Sequence, residues 1–381
     1  MNRFRRITSG GNFIPEIDGL RFLAIGGVLL FHSWFNTRVA YGLPTPREGG
    51  LTTNFFNRGA LGVELFFALS GFILALPFAR NLIYGAKTVD ISRYYLRRVT
   101  RIEPPYIVAL VGVYLAAWGC NQVVKFGLWP TFSARVFYLY GLIWRDAPTL
   151  NGVTWSLELE VQFYLLMPVF AQIFRMPALP RRTLMLLVVI VFPFIEWKGL
   201  LLYSVFSQLG LFFAGILFAD LYLEQERTGF AKAGWNDFAA IVLLTLVFSI
   251  PVTINGVRQY APVAILLFFL LLFNGVWLRR LLSWKPVYLI GGMCYSIYLI
   301  HQPIISTFCR WLAHKEPMLS DLGARSLVIL LWIPAVLCIS ALFFAVIEHP
   351  CMDPGWPRKL WTRILRGKSE AHVQGQPENK G

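Results

Sequence analysis

The sequence predicts an all-α, polytopic helical membrane protein of about ten transmembrane helices, and three observations carry that prediction. Of the 381 residues, 56% are apolar and 14% are charged, about half the charged share of a soluble domain. The mean hydropathy is +0.58. The apolar residues also gather into ten runs, at 17–36, 60–80, 103–119, 154–174, 183–199, 202–222, 236–252, 258–277, 287–309 and 325–347, most of them close to the ~20 residues that cross ~30 Å of hydrocarbon. A soluble core stops growing near ~250–300 residues and needs a polar surface around it. This composition therefore excludes a soluble enzyme, a disordered chain and a disulfide scaffold.

Charge orients the spans. The 35 Lys and Arg exceed the 20 Asp and Glu to give +15. In water such an excess points to nucleic acid; in a membrane it reflects positive-inside topology and anionic lipid. The 13 Trp, 15 Tyr and 32 Phe suit aromatic belts better than base stacking, so membrane lipids are the expected partners and nucleic acid is not. With ten spans and both termini cytoplasmic, the inner side carries 23 Lys/Arg and the outer side 11. An eleventh run, 132–144, is short. Counting it as a span would move the basic runs Arg175–Arg182 and Arg279–Lys285 outside, so it reads as a re-entrant or interfacial piece lining a cavity.

Three regions follow: a basic cytoplasmic N-terminus at 1–16, a transmembrane domain at 17–350, and a basic cytoplasmic tail at 351–381. The N-terminus is not a cleavable signal, because Asp18 and Arg21 interrupt its apolar run and no small-residue cleavage site follows. In the tail, 356–366 separates apolar and basic residues as a surface helix does, before a polar, disordered end. Cys120, Cys294, Cys309, Cys338 and Cys351 show no metal-ligand spacing and read as structural thiols; neither a metal nor a bound cofactor is expected.

Ionisable side chains inside spans are costly and mark function, and here they recur in order along the chain. The first span holds Asp18, Arg21 and His32. Spacings of three and eleven place all of them on one helix face, with His32 about 16 Å above Arg21 at ~1.5 Å per residue. The plainer reading is an ion pair at the helix end and a packing histidine. The second span carries Glu64 near its outer end and Ser70-Gly71, small residues that permit close helix approach; the plainer reading of Glu64 is an interfacial carboxylate. Before the third span, Arg98 and Arg101 share a face at the cytoplasmic boundary. Two guanidiniums there make a fork for phosphate oxygens, although topogenic charge alone would also account for them. Pro104-Pro105 is expected to start that span. The fourth opens on Trp155-Ser156-Leu157-Glu158-Leu159-Glu160 and continues to Tyr164; acids two apart point in different directions, so only one readily faces a given cavity. The ninth span carries Tyr298 and a second intramembrane histidine, His301, and Glu348 with Pro350 closes the tenth.

Taken together, Ile17-Asp18-Gly19-Leu20-Arg21 with His32, Gly62-Val63-Glu64-Leu65-Phe66-Phe67 with Ser70-Gly71-Phe72, Arg97-Arg98-Val99-Thr100-Arg101 before Pro104, Trp155-Ser156-Leu157 before Glu160 and Phe163-Tyr164, and Tyr298-Leu299 before His301 and Pro303 resemble the membrane acyltransferase-3 family of O-acyltransferases. The resemblance covers about residues 15–350. Glu64 stands where the family often has Asp, Cys294 where Ser is common, and Glu158 is an extra acid beside Glu160. The chain looks like a stand-alone member without the secreted hydrolase-like domain that some members append.

The resemblance implies transfer of an acyl group, acetyl first among the candidates, from cytoplasmic acyl-coenzyme A as co-substrate to a hydroxyl of a surface glycan, a lipid-linked sugar or a similar small acceptor in the bacterial inner membrane. Lipopolysaccharide, capsule and exopolysaccharide all stay open as acceptors, as does oligomeric state. Side-chain chemistry agrees. Arg98 and Arg101 are expected to dock the coenzyme A phosphates. His32 is the expected catalytic residue, as general base or as acyl carrier, with Asp18, Arg21 and Glu64 setting its surroundings. Glu160, Tyr164, Tyr298 and His301 are expected to line the cavity or orient the acceptor. The rival reading is a proton-coupled secondary transporter, disfavoured by the lack of repeated halves and by an arginine fork with no task in a carrier.

Overall fold

A computed structural model of the chain describes residues 13–45, 50–146, 150–249, 257–353 and 355–356. The basic residues read at 1–12, and the tail from 357 with nearly all of its surface helix, lie outside the described residues. No strand occurs among the described residues, as the all-α expectation requires.

Helix α1 (Pro15–Ala40) opens on a proline, whose missing N–H costs nothing in a first turn, and has Glu16 and Asp18 at its positive dipole end. Helix α2 (Leu51–Arg58) leads into α3 (Leu61–Tyr84), which Gly85 closes in the left-handed conformation at φ 65°. Helix α4 (Ile91–Gly119) is capped by Asp90, which accepts from Arg93 N at 3.0 Å.

The expectation that Pro104-Pro105 starts the third span is corrected here: α4 begins at Ile91 and carries both prolines mid-length. A proline withdraws the N–H that would serve the carbonyl four residues back, in this case Thr100 O for Pro104. Trp356 Nε1, from beyond the last span, donates to that carbonyl at 3.0 Å.

The short run at 132–144 becomes α5 (Leu128–Val136) and α6 (Tyr140–Trp144), broken around Tyr138 at φ 57°. At nine and five residues, neither can cross a bilayer. Lys125 and Asp146, 2.6 Å apart, tie the flanking turns together, and that carboxylate holds the Lys125 ammonium above its ordinary pKa. Helix α7 (Trp155–Phe170) follows, then α8 (Ala178–Val191), which has 14 residues. The fifth run is therefore shorter as a helix than its apolar stretch, ending near Pro193 in a 3-10 turn.

Next come α9 (Leu209–Thr228), α10 (Gly234–Ser249), α11 (Val257–Asn274) and α12 (Trp277–Leu282). The ninth run is broken at Met293 into α13 (Lys285–Gly292) and α14 (Cys294–Lys315). The last run joins α15 (Asp321–Leu327), α16 (Ile333–Phe343) and α17 (His349–Cys351) through two π-helical turns. Among the described residues, six stretches are long and apolar enough to cross a membrane: Pro15–Ala40, Leu51–Tyr84, Ile91–Gly119, Gly152–Arg175, Val205–Thr228 and Gly323–Cys351; Gly234–Ser249 and Gln259–Asn274 are shorter apolar helices.

The bundle is centred on α9, whose stretch is 78% buried, against 22% for the last one. A Cβ on Gly215 would overlap Ala68 O, and one on Gly71 would overlap Phe212 O. Only glycine at both places lets α3 and α9 cross this closely, and Phe163 then stacks on Phe212 with ring centroids 4.0 Å apart. Asp220 of α9, fully buried, is gripped by Arg181 and Arg182 of α8 at 2.5–3.2 Å. These two arginines, which the sequence offers only as topogenic charge, thus also satisfy a buried acid.

Candidate active site

Helix α1 is the spine of the site. Asp18 and Arg21 form a buried ion pair one turn apart, as their spacing predicts. Arg21 lines a chamber together with Arg98 and Arg101 of α4, Ser70 of α3, Glu160 and Tyr164 of α7, and Tyr298 of α14. The two α4 arginines therefore do share a face, and that face looks inward. The Arg98 guanidinium lies 5.7 Å and 5.8 Å from the ring centres of Tyr94 and Tyr164, where ring quadrupoles favour a cation. The acids of this chamber have protein donors: Glu160 accepts from Ser70 Oγ, and Glu348 accepts from Ser296 N at 3.0 Å and Ser296 Oγ at 2.5 Å.

A second chamber lies further along α1. Val28, Phe31 and His32 line it with Val63 and Glu64 of α3, Val153, Gln208, Gln259 and, again, Tyr298. It is the roomier of the two, about 400 Å³ against about 110 Å³. His301, fully buried, sits against His32 with ring centroids 5.2 Å apart. Its Nδ1 faces two backbone carbonyls, Ile297 O at 3.0 Å and Tyr298 O at 2.9 Å. Carbonyls only accept, so Nδ1 carries a proton. Asn36 fixes the two histidine-bearing helices together, donating to His32 O at 2.7 Å and to Gln302 Oε1 at 3.3 Å.

The residues singled out from the sequence thus divide between the chambers. Arg21, Arg98, Arg101, Glu160 and Tyr164 line the first, His32 and Glu64 the second, and Tyr298 both. His301 backs His32 from within the protein. Of the two neighbouring acids, Glu160 reaches the first chamber, whereas Glu158 turns away and accepts from Gly141 N of α6 at 2.9 Å. Arg135 of α5 is fully buried, donates to Asn151 O at 3.3 Å and lies over the Tyr140 ring. Sequence reasoning counts Arg135 only among outer charges; its signal is its place inside a run that reads as re-entrant. By sequence Glu348 only closes the last span, yet it lines the first chamber.

An all-α, multi-pass membrane protein enclosing two polar chambers along one helix is the class this geometry defines. The chain belongs to the acyltransferase domain family, which it matches over residues 14–347. It is 24% identical to the peptidoglycan O-acetyltransferase OatA of Listeria monocytogenes serovar 1/2a, across 90% of this chain and 56% of that protein. It is 22% identical to O-acetyltransferase OatA of Staphylococcus aureus strain NCTC 8325, across 77% of this chain and 51% of that protein. It is 23% identical to a putative O-acetyltransferase of S. aureus strain COL, over the same shares. The chain spans about half the length of the curated relatives it matches. No solved structure matches it.

Proposed function

We propose that the protein transfers an acetyl group from acyl-coenzyme A on the cytoplasmic side to a hydroxyl of a cell-surface glycan on the other side of the membrane. The observation that carries this reading is the stacking of the two chambers along α1: three arginines line the first, and an imidazole faces the second. The donor is a polyanion on a long flexible arm. Its phosphates suit Arg98 and Arg101, because guanidinium forks bind phosphate oxygens with two parallel hydrogen bonds. Its thioester then reaches His32 past Tyr298. His32 takes the acceptor hydroxyl proton as the oxygen attacks the thioester carbonyl, the C–S bond breaks, and the departing thiolate recovers a proton. In the acyl-carrier form, the imidazole nitrogen attacks the thioester carbonyl and expels the coenzyme A thiolate; the acceptor hydroxyl then attacks the acyl-imidazole, the N–C bond breaks, and the hydroxyl proton passes to the released imidazole. Glu64, in the same chamber, stabilises the imidazolium of the base form, and Asp18 fixes Arg21.

The family match and the relatives named as O-acetyltransferases support acyl transfer, and the name of the Listeria relative makes peptidoglycan the first acceptor to try. The Lys/Arg split supports ten crossings with both termini inside. Single cysteines placed at 120–131 and at 88–92 are then labelled from opposite sides, the former from outside; labelling of both from one side overturns that topology.

The deciding experiment supplies acetyl-coenzyme A to membrane vesicles holding the full chain, with and without soluble peptidoglycan fragments, and follows release of coenzyme A thiol. Thiol release that depends on both chain and acceptor is expected. Its absence with peptidoglycan, capsular and lipopolysaccharide acceptors alike, in vesicles that bind coenzyme A, removes the reading.

A further inference from the structure

The second chamber carries polar side chains that the transfer step leaves unused. Gln208, at the N-cap of α9, and Gln259 of α11 line it together with Ser207, Trp155, Glu64 and His32. Gln208 Nε2 reaches Ser207 Oγ at a long 3.4 Å, and the Gln259 amide has no protein partner among the described residues. Each amide offers donors and an acceptor on one short, uncharged group, the pairing that a sugar hydroxyl or an N-acyl amide calls for. Trp155 packs on the Phe67 ring and is still 40% exposed, so ring surface is left for the C–H face of a cyclic ligand. At about 400 Å³, the chamber falls within the ~300–1,000 Å³ of small-ligand sites.

Charge sets this chamber apart. Three arginines line the first; among the described residues no Lys or Arg lines the second, where Glu64 is the one carboxylate. An anionic group brought in here meets a like charge and finds no cation to pair with, and both are costly away from bulk water.

We propose that the His32 chamber is the acceptor subsite for an uncharged sugar residue, read by Gln208 and Gln259, and that it turns away sugar residues that carry an anionic group. The proposal rests on the transfer reading above and adds which acceptors it takes. The two amides hold the sugar through its hydroxyls or N-acyl group, Trp155 lies against its ring, and His32 faces the reacting hydroxyl. Glu64 excludes anions by repulsion, as a specific site sets an unpaired charge against the wrong partner.

The experiment uses peptide-free peptidoglycan glycan strands in two forms, with the lactyl carboxylate free or converted to its carboxamide. The two keep the same hydroxyls and nearly the same shape, and differ in charge. Vesicles holding the full chain receive acetyl-coenzyme A and either strand, and mass spectrometry locates the acetyl esters. Esters are expected on uncharged residues, with the free-carboxylate residue acetylated at least about tenfold less than its carboxamide counterpart. Gln208→Ala and Gln259→Ala are expected to raise the KM for the carboxamide strand by about three- to tenfold, with kcat and coenzyme A binding little changed. Gln259→Arg supplies a cation and is expected to raise acetylation of the free-carboxylate residue. Acetylation of the two lactyl-bearing residues at equal rates overturns the proposal. So does an unchanged KM in both alanine variants, and so does acetylation of an acidic capsular or lipopolysaccharide sugar in place of both strands. If no acceptor of any kind is acetylated while coenzyme A still binds, it is the transfer reading that fails, and the subsite fails with it.

Discussion

The two chambers share α1, α3, the segment 152–157 and Tyr298 of α14, but α4 completes the first and α9 and α11 the second, and they hold their polar groups differently. In the first, the cations are arginines, charged at every physiological pH, and Glu160 and Glu348 take hydrogen bonds from serines of the protein. In the second, Glu64 shares the wall with an imidazole, His32, a side chain whose charge ordinarily changes within the physiological range. His32 Nδ1 and His301 Nε2 are buried there without a hydrogen-bond partner among the described residues. A chamber of fixed cationic charge suits holding a polyanion. A chamber with the His32 imidazole at its wall suits proton transfer or covalent attack. The difference separates binding from reaction along one helix.

That division is broken most sharply at His32. His32→Gln keeps size and hydrogen bonding but not basicity or nucleophilicity, and it is expected to cut turnover by about 10²–10⁴-fold while coenzyme A binding survives. The check is single-turnover transfer beside equilibrium binding of coenzyme A to the same vesicles. Transfer near the parent rate would remove both the base and the acyl-carrier versions.

The reverse pattern is expected in the first chamber. Arg98→Ala or Arg101→Ala weakens coenzyme A binding by about 1.5–3 kcal/mol for each charge-assisted hydrogen bond to phosphate that it removes. Lysine at either position restores only part of this, since it cannot form the fork. If a correctly inserted double alanine variant binds coenzyme A as the parent does, the first chamber is not the donor site.

The smallest effect is expected at Glu158, which neighbours Glu160 in sequence but belongs to neither chamber. Glu158→Gln still accepts from Gly141 N, so donor affinity stays within about twofold and stability falls by about 1 kcal/mol, read as a small shift in thermal unfolding in detergent. A loss of donor binding comparable to that of an arginine variant would erase the distinction between the two acids.

How far the site is legible in the sequence follows from which rules act locally. The stripe Asp18, Arg21, His32 is readable because helical spacing alone decides which side chains share a face, and the same holds for Arg98 and Arg101. Which chamber each residue lines is not readable, because it depends on how helices cross. The α3–α9 crossing is set by Gly71 meeting Phe212 and Gly215 meeting Ala68, residues far apart along the chain. The continuity of α4 through Pro104-Pro105 is hidden for the same reason, since the indole that serves the Thr100 carbonyl comes from Trp356. The break of the ninth run at Met293 does have a local mark, the Gly291-Gly292 pair that ends α13, and Pro193 and the left-handed Gly199 at φ 59° explain the shortened fifth helix.

The Trp356 indole also bears on how the protein is made. Its partner carbonyl lies next to Arg101 and two residues after Arg98, in the first half of the chain. Residue 356 is synthesised only after every span has been translated. A nascent chain can therefore have α4 in the membrane, with both arginines in register, while the turn that carries them still has an open carbonyl. The fork is translated early and clasped late, so its final rigidity is acquired after insertion and not during it.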